Sequence, residues 1–189
     1  WSSVTAGALF DKTVGIVGAG GIGRELITLL EPFSTRNLAV NRSGRPVPGA
    51  DLVVTPDRLG EVLRESDFVV IAAPATSATR HLIGRRELGL MRDSAWLVNI
   101  ARGSLIDTDA LVDALRTGEI AGAALDVTDP EPLPDGHPLW TEPRALITPH
   151  SANPWPLLLA RLTERVQENV RRFVAGEDLV GVIDLDHEY

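Results

Sequence analysis

Three residues of different chemical type lie far apart in the sequence but share one kind of local setting. Arg102 stands in Val-Asn-Ile-Ala-Arg-Gly, Glu131 in Asp-Pro-Glu-Pro and His150 in Thr-Pro-His-Ser, each shortly after an apolar run. A guanidinium can bind a carboxylate, and an imidazole can move a proton near neutral pH. Together with a carboxylate, these groups are what an enzyme needs to bind and reduce a 2-keto acid. The three residues are therefore the candidate catalytic set.

A glycine-rich turn lies upstream of all three and reads Gly18-Ala19-Gly20-Gly21-Ile22-Gly23. It follows the apolar run 13–17 and opens a helical pattern, which is the setting of a dinucleotide-binding turn. Gly18 allows a tight exit from the strand, Gly20 lets a pyrophosphate approach the backbone, and Gly23 lets the helix pack on the strand. The helix N-terminus then offers free N–H groups to the phosphates. Every residue of the turn except Ala19 is a predicted cofactor contact; a purely structural turn is the alternative.

Short apolar runs alternate with amphipathic segments along the chain. Strands are predicted at 13–17, 38–40, 52–54, 68–72, 95–98, 120–125 and 145–147, and helices at 22–30, 58–65, 107–115 and about 157–173. Asp107 is the predicted N-cap of the third helix, which we expect to end near Gly118. Strands that are apolar throughout and alternate with helices indicate a parallel sheet covered on both faces. The predicted fold class is α/β, a doubly wound parallel sheet (Rossmann fold) in a single domain.

The residues after the second strand bear on which dinucleotide binds. In NAD-binding folds an acidic residue about 20 positions beyond the glycine turn holds the ribose 2′-hydroxyl. Here that place holds Asn41, followed by Arg42 and Ser43. Asn41 removes the repulsion between a carboxylate and a 2′-phosphate, and Arg42 with Ser43 can bind that phosphate by charge-assisted hydrogen bonds. The sequence favours NADP over NAD; a solvated basic loop is the alternative.

Composition and charge argue against several classes of protein. A formal net charge of −8 disfavours a nucleic-acid partner, because such proteins are usually basic along one face. No apolar run approaches the length of a membrane span and no signal-peptide pattern opens the chain, so we expect no membrane partner and a cytoplasmic location. The chain has no cysteine, which excludes disulfides and thiolate metal sites. No spacing typical of metal ligands appears in the sequence. We interpret Asp107, Asp109 and Asp113 as charges at the start or on the exposed face of a helix.

Several landmarks occur in one order along the chain. They are the glycine turn, Ala73-Pro74-Ala75-Thr76 with Thr79, the arginine signature Asn99–Asp107, the glutamate signature from Ala121 to Pro134, and Thr148-Pro149-His150. With these landmarks the chain resembles, from Trp1 to about Val174, the nucleotide-binding domain of the D-isomer-specific 2-hydroxyacid dehydrogenases. Their order and spacing together are highly specific to that family.

The resemblance implies a role for each candidate residue. Arg102 would pair with the substrate carboxylate and polarise the 2-keto oxygen, and His150 would donate a proton to that oxygen as hydride arrives. Glu131 would hydrogen-bond the imidazole, fix its orientation and stabilise its protonated form. Asp126 would hold the nicotinamide carboxamide and so choose the face that transfers hydride. The further cofactor contacts that the resemblance implies are Ala73, Pro74, Thr79, Ile100 and Ala101.

The implied activity is hydride transfer between NAD(P)H and a small 2-keto or 2-hydroxy acid, such as glyoxylate or hydroxypyruvate, in a homodimer. Family members also carry a substrate lobe, built mostly from residues before the cofactor domain. This chain starts a few residues before its first strand, so we expect that lobe to be absent and the isolated chain to be weakly active. The sequence is then either a domain of a longer protein or a protein that has lost its substrate lobe. We expect a cofactor domain over 1–175 and a tail over 176–189 that in the family returns to the substrate lobe. Trp155 departs from the small residues common in the family; it would either wall the substrate pocket or cap the following helix.

Two other functions share parts of the pattern. A non-catalytic NAD(P)-sensing interaction module, of the kind found among corepressors of the resembled superfamily, would keep the domain. An adenosylmethionine-dependent methyltransferase would keep a glycine-rich α/β turn, but it gives no reason for Arg102, Glu131 and His150 to occur together. The intact set also disfavours the sensing module. Taken singly, each candidate catalytic residue also fits a structural role. Arg102 could be a surface cap, Glu131 a solvated carboxylate and His150 a structural histidine.

Overall fold

Seven parallel strands form the sheet of the N-terminal unit, Trp1–Thr148. The structure, a computed structural model, describes residues 7–183; the first six and last six residues, which include the start of the predicted domain and the end of the predicted tail, lie outside it. The strands are β1 (Thr13–Val17), β2 (Arg36–Val40), β3 (Leu52–Val54), β4 (Phe68–Ile71), β5 (Trp96–Asn99), β6 (Gly122–Leu125) and β7 (Ala145–Ile147). Neighbouring strands are all parallel, in the order β3-β2-β1-β4-β5-β6-β7. This is the predicted doubly wound sheet, and each predicted strand is present within about two residues of its expected bounds.

The helices of the described residues are α1 (Gly21–Leu30), α2 (Leu59–Glu65), α3 (Arg85–Leu88), α4 (Thr108–Thr117) and α5 (Trp155–Ala175). All but α3 were predicted; α3 is a single turn, too short to show helical periodicity. Both predicted limits of α4 are confirmed. The Asp107 carboxylate accepts a hydrogen bond from the Ala110 N–H at 3.1 Å, and Gly118 closes the helix in the left-handed region with φ 72°. Among the described residues, no helix combines the length and apolar character that crossing a membrane requires.

Apolar side chains cover both faces of the sheet. Ile16 of β1 packs with Ile27 of α1 in one buried cluster. Leu38 of β2 packs in the other cluster with Leu63 of α2 and Leu111 of α4. Alternate residues of a strand point to opposite faces, so strands buried on both sides must be apolar throughout. This explains why the strands read as continuous apolar runs.

The C-terminal unit, Pro149–Tyr189, contains α5 and a segment that returns along it. Gly176, with φ 69°, ends the helix. The Asn169 side chain then accepts a hydrogen bond from the Val180 N–H at 2.9 Å and donates one to the Val180 carbonyl at 3.0 Å. The backbone at Val180 is thereby held against α5.

A cluster of charges near the end of α5 predicts a response to acid. Glu168 accepts hydrogen bonds from Arg171 at 3.1 Å and from Arg172 at 2.6 Å. The hydrogen bond from Arg171 has the larger effect, and together the two lower the pKa of Glu168 from 4.5 to about 2. A lowered pKa means that the ionised carboxylate stabilises the folded state. The contribution of Glu168 to folding stability is therefore complete above pH 4.5 and disappears as the pH falls through about 2. As the pH falls across that window, we expect amides near Arg172 to lose protection, measured as the ratio of the intrinsic to the observed hydrogen-exchange rate. Glu168→Gln should abolish the dependence, and identical acid profiles for the two proteins would contradict the assignment.

Candidate active site

The glycine turn joins β1 to α1, and its glycines differ in how closely other atoms approach them. Gly18 has φ +101°, and a Cβ there would lie 2.4 Å from the Ala73 nitrogen, so no other residue fits. A Cβ at Gly23 would lie 2.5 Å from the Gly18 carbonyl oxygen, so its absence lets α1 pack against the turn. At Gly20, by contrast, no atom lies within 4 Å of the Cβ position. Nothing in the surrounding chain requires glycine at Gly20, and the open space there suits a close approach by a ligand.

The N-terminus of α1 suits an anion. Gly20 is its N-cap, with no side-chain capping bond, and the first turn has no acidic residue. The first N–H groups of a helix have no partner within the helix and carry a partial positive charge, which is the arrangement that binds phosphates. The side chain of Ile22 is 61% exposed in this first turn. Together with the open space at Gly20, these features fit the pyrophosphate of a dinucleotide.

Asn41, directly after β2, organises the loop that was predicted to select the cofactor. Its Oδ1 accepts hydrogen bonds from the Ser43 N–H at 3.1 Å and the Ser43 hydroxyl at 3.3 Å, and its Nδ2 donates to the Arg45 carbonyl at 2.9 Å. Arg42 and Ser43 are exposed. The Gly18 N–H donates to the Val40 carbonyl at 2.9 Å, so this loop begins beside the glycine turn. Asn41 thus has two properties: it is neutral where NAD-binding folds have an acidic residue, and its side chain forms the turn that presents Arg42 and Ser43.

The loop after β4 lies against the same turn. Ala73 is the residue that a Cβ at Gly18 would strike. The Thr79 hydroxyl donates to the Pro74 carbonyl at 2.8 Å and accepts from the Thr76 N–H at 2.8 Å, which closes the loop on itself. Three predicted cofactor contacts, Ala73, Pro74 and Thr79, therefore belong to one ordered loop next to the predicted pyrophosphate site.

The path of the segment that carries Arg102 depends on a buried amide. Asn99 ends β5 and is 0% exposed; its Nδ2 donates to the Arg102 carbonyl at 2.9 Å and its Oδ1 accepts from the Ala101 N–H at 3.0 Å. The Arg102 guanidinium is exposed and donates to the Ala101 carbonyl at 2.6 Å. The sequence did not reveal this role for Asn99, although an amide at the end of an apolar strand was a visible signal.

Gly103 brings the loops after β5 and β6 into contact. A Cβ at Gly103 would lie 2.0 Å from the carbonyl carbon and oxygen of Thr128, so only glycine permits this approach. The Thr128 N–H in turn donates to Glu131 Oε2 at 3.4 Å, and Glu131 is exposed. The segments that carry Arg102 and Glu131 are therefore neighbours at the carboxyl edge of the sheet.

Asp126 follows β6 directly and is 8% exposed. Its N–H donates to the Asn99 carbonyl at 3.0 Å, and its Oδ1 accepts a hydrogen bond from the Thr148 hydroxyl at 2.5 Å. A buried carboxylate of this kind needs hydrogen-bond partners to offset its desolvation. Asp126 is thus held on both sides, by β5 and by the end of β7.

His150 belongs to the C-terminal unit and follows β7 by three residues. It is exposed and has φ 52°, a left-handed backbone that is uncommon for a residue other than glycine and is enriched at functional sites. Its part as proton donor stays a prediction. Trp155 does not cap α5 as one alternative proposed, because it is the first helical residue and Pro154 occupies the cap.

Comparison with known proteins finds relatives among the 2-hydroxyacid dehydrogenases. The chain is 40% identical over 169 residues to a glyoxylate reductase of Thermococcus gammatolerans, covering 89% of this chain and 50% of the relative. It superposes on a D-isomer specific 2-hydroxyacid dehydrogenase family protein from Aeromonas salmonicida with TM-score 0.88 and 36% identity, covering 97% of this chain and 59% of that one. A D-isomer specific 2-hydroxyacid dehydrogenase from Xanthobacter autotrophicus, solved with NADPH and MES, gives TM-score 0.90 and 32% identity, covering 100% and 77%.

The chain spans about half the length of the curated relatives it matches. The family model for the NAD binding domain of D-isomer specific 2-hydroxyacid dehydrogenases matches residues 1–152. The sheet order, the glycine turn and the strand-end loops described above agree with that match. The chain therefore belongs to the D-isomer specific 2-hydroxyacid dehydrogenase family and contains its NAD-binding domain.

Proposed function

We propose that this chain is the cofactor-binding part of an oxidoreductase that transfers a hydride between NAD(P)H and a small 2-keto or 2-hydroxy acid. The observation that carries the proposal is the contact between Gly103 and Thr128, which holds the segments of Arg102 and Glu131 together. These segments lie at the carboxyl ends of β5 and β6, the edge of a doubly wound sheet at which ligands bind. A relative named glyoxylate reductase supports the substrate class.

The residues of the chain divide the work of binding and proton transfer. When bound, NAD(P)H supplies the hydride. Arg102 binds the substrate carboxylate through a planar fork that is always charged, and it polarises the keto oxygen. His150 gives its proton to that oxygen during reduction and takes it back during oxidation, while Glu131 orients the imidazole. Asp126 would accept a hydrogen bond from the carboxamide of the bound nicotinamide and so select the face of the ring.

The test of the proposal is turnover by the full-length protein that carries this chain. Glyoxylate or hydroxypyruvate should oxidise NADPH with saturation kinetics, and hydroxypyruvate should give the D isomer of its 2-hydroxy acid. Stopped-time product analysis by chiral chromatography measures both rate and stereochemistry. Binding of the cofactor without turnover of any 2-keto acid would contradict the catalytic assignment and support the NAD(P)-sensing module instead.

Cofactor choice is a separate prediction, and the exposed Arg42 and Ser43 beside Asn41 motivate it. Calorimetric titration should show NADPH binding at least about tenfold more tightly than NADH, the scale of one or two charge-assisted hydrogen bonds. The double variant Asn41→Asp with Arg42→Leu should reverse the order, because a carboxylate repels the 2′-phosphate and accepts from a ribose hydroxyl. Arg116→Leu removes a charge of the same sign from α4 and serves as the control. Equal or tighter NADH binding by the unchanged chain would contradict the prediction.

Assembly, location and domain limits also belong to this proposal. We expect a homodimer, which light scattering of the full-length protein measures, and a cytoplasmic location, which fractionation measures. We also expect the cofactor domain to comprise residues 1–175, followed by a tail over 176–189 that in the family returns to the substrate lobe.

A further inference from the structure

Asp126 and Thr148 form a contact that none of the roles above uses. Asp126 is 8% exposed, and the Thr148 hydroxyl donates to its Oδ1 at 2.5 Å. That length lies in the range of hydrogen bonds from a hydroxyl to an ionised carboxylate, which are about twice as strong as neutral ones. The contact joins the ends of two neighbouring strands, β6 and β7.

The strand ladder delivers the Thr148 hydroxyl to this place. The Thr148 N–H donates to the Leu125 carbonyl at 2.9 Å, one step beyond the pairing of Leu125 with Ile147. The backbone of Thr148 is therefore held independently of its side chain. A substitution that keeps the β-branched shape and removes the hydroxyl should leave that ladder bond in place.

The hydrogen bonds of Asp126 to Asn99 and to Thr148 act on different parts of the residue. Its backbone is held by the hydrogen bond to the Asn99 carbonyl at 3.0 Å, which does not determine how the carboxylate turns. Rotation about the terminal torsion of aspartate is broad and weakly restrained by itself. The hydroxyl of Thr148 supplies a directional restraint on that rotation.

We propose that Thr148 is a positioning residue: its hydroxyl fixes the orientation of the Asp126 carboxylate and, through it, the orientation of the nicotinamide ring. The inference rests on the proposed function, in which Asp126 accepts a hydrogen bond from the carboxamide. A wrongly turned carboxylate would let the ring rotate in its site and expose either face to the substrate. Thr148 thus acts on ring orientation without touching the cofactor itself.

The test compares Thr148→Val, which removes the hydroxyl, with Thr148→Ser, which keeps it. For each protein we would measure the Kd of NADPH, the fluorescence of bound NADPH, and the Kd of 2′-phosphoadenosine diphosphoribose, which lacks the nicotinamide. Thr148→Val should raise the Kd of NADPH about fivefold to tenfold and shift the fluorescence toward that of Asp126→Asn. The Kd of the fragment should stay within about twofold, and Thr148→Ser should resemble the unchanged chain. Thr148→Ala provides a second removal of the hydroxyl if Thr148→Val fails to fold.

The outcomes separate the inference from the function on which it rests. If Asp126→Asn changes the Kd and fluorescence of NADPH but Thr148→Val does not, the role of Thr148 is overturned and that of Asp126 is kept. If Asp126→Asn leaves the Kd and fluorescence of NADPH as they are, the role of Asp126 and the inference are overturned together. The same holds if the protein without substitutions binds neither NADPH nor NADH. A parallel loss of affinity for NADPH and the fragment in Thr148→Val would show general damage to the sheet edge, and it too would overturn the inference.

Discussion

Replacing His150 by glutamine in the full-length protein should lower the rate of 2-keto acid reduction by about 10²–10⁴-fold, the range for lost general acid catalysis. Glutamine retains a hydrogen-bonding group of similar size but cannot donate a proton in the transition state. Because His150 has φ 52°, His150→Asn is the matched variant, since asparagine tolerates the left-handed backbone better than most residues. Both variants should lose rate alike. The measurement is kcat with saturating cofactor, beside the Kd of NADPH, which should change little.

Arg102→Lys separates proton transfer from substrate binding in the same assay. A lysine is a point charge and cannot reproduce the bidentate contact with a carboxylate, so KM should rise as kcat falls. The His150 variants should change mainly kcat. Near-normal rates at neutral pH in both His150 variants would mean that the proton comes from another group, and the mechanism would be wrong.

Two glycine-to-alanine substitutions should differ in their effect on stability. A Cβ at Gly103 would lie 2.0 Å from the Thr128 backbone, so Gly103→Ala should force the loops after β5 and β6 apart. Overpacking against backbone costs about 3 kcal/mol, which lowers Tm by roughly 6–12 °C in a domain of this size. No atom lies within 4 Å of the Cβ position at Gly20, so Gly20→Ala should leave Tm nearly unchanged. Thermal unfolding followed by circular dichroism measures both. A Gly103→Ala protein as stable as the unchanged chain would show that the two loops can separate freely.

The sheet could be predicted because its strands are buried on both faces and therefore apolar throughout, as in Val14-Gly15-Ile16-Val17. The limits of α4 could be predicted because Asp107 and Gly118 act through local hydrogen bonds and backbone angles. The single-turn helix α3 could not, since four residues show no periodicity.

The packing reason for Gly23 was also legible, because its Cβ would meet the Gly18 carbonyl within the same turn, and the positive φ of Gly18 fits the predicted tight exit from the strand. The contributions of Asn99 and Gly103 were not. Gly103 matters only because the Thr128 backbone, distant in sequence, passes over it, and the sequence does not show how closely two strand-end loops approach. The contact of Thr148 with Asp126 was hidden for the same reason.

The central claim is that the turn from Gly18 to Gly23 holds the pyrophosphate of a nicotinamide dinucleotide. Calorimetric titration of the 189-residue chain with NADPH, beside Gly20→Ala, tests it most directly. The unchanged chain should bind one NADPH, and Gly20→Ala should weaken binding about 10- to 100-fold at an unchanged Tm, because the new Cβ displaces the phosphates from the backbone N–H groups. Equal affinity of the two proteins, or no binding of NADPH or NADH by the unchanged chain, would contradict the claim.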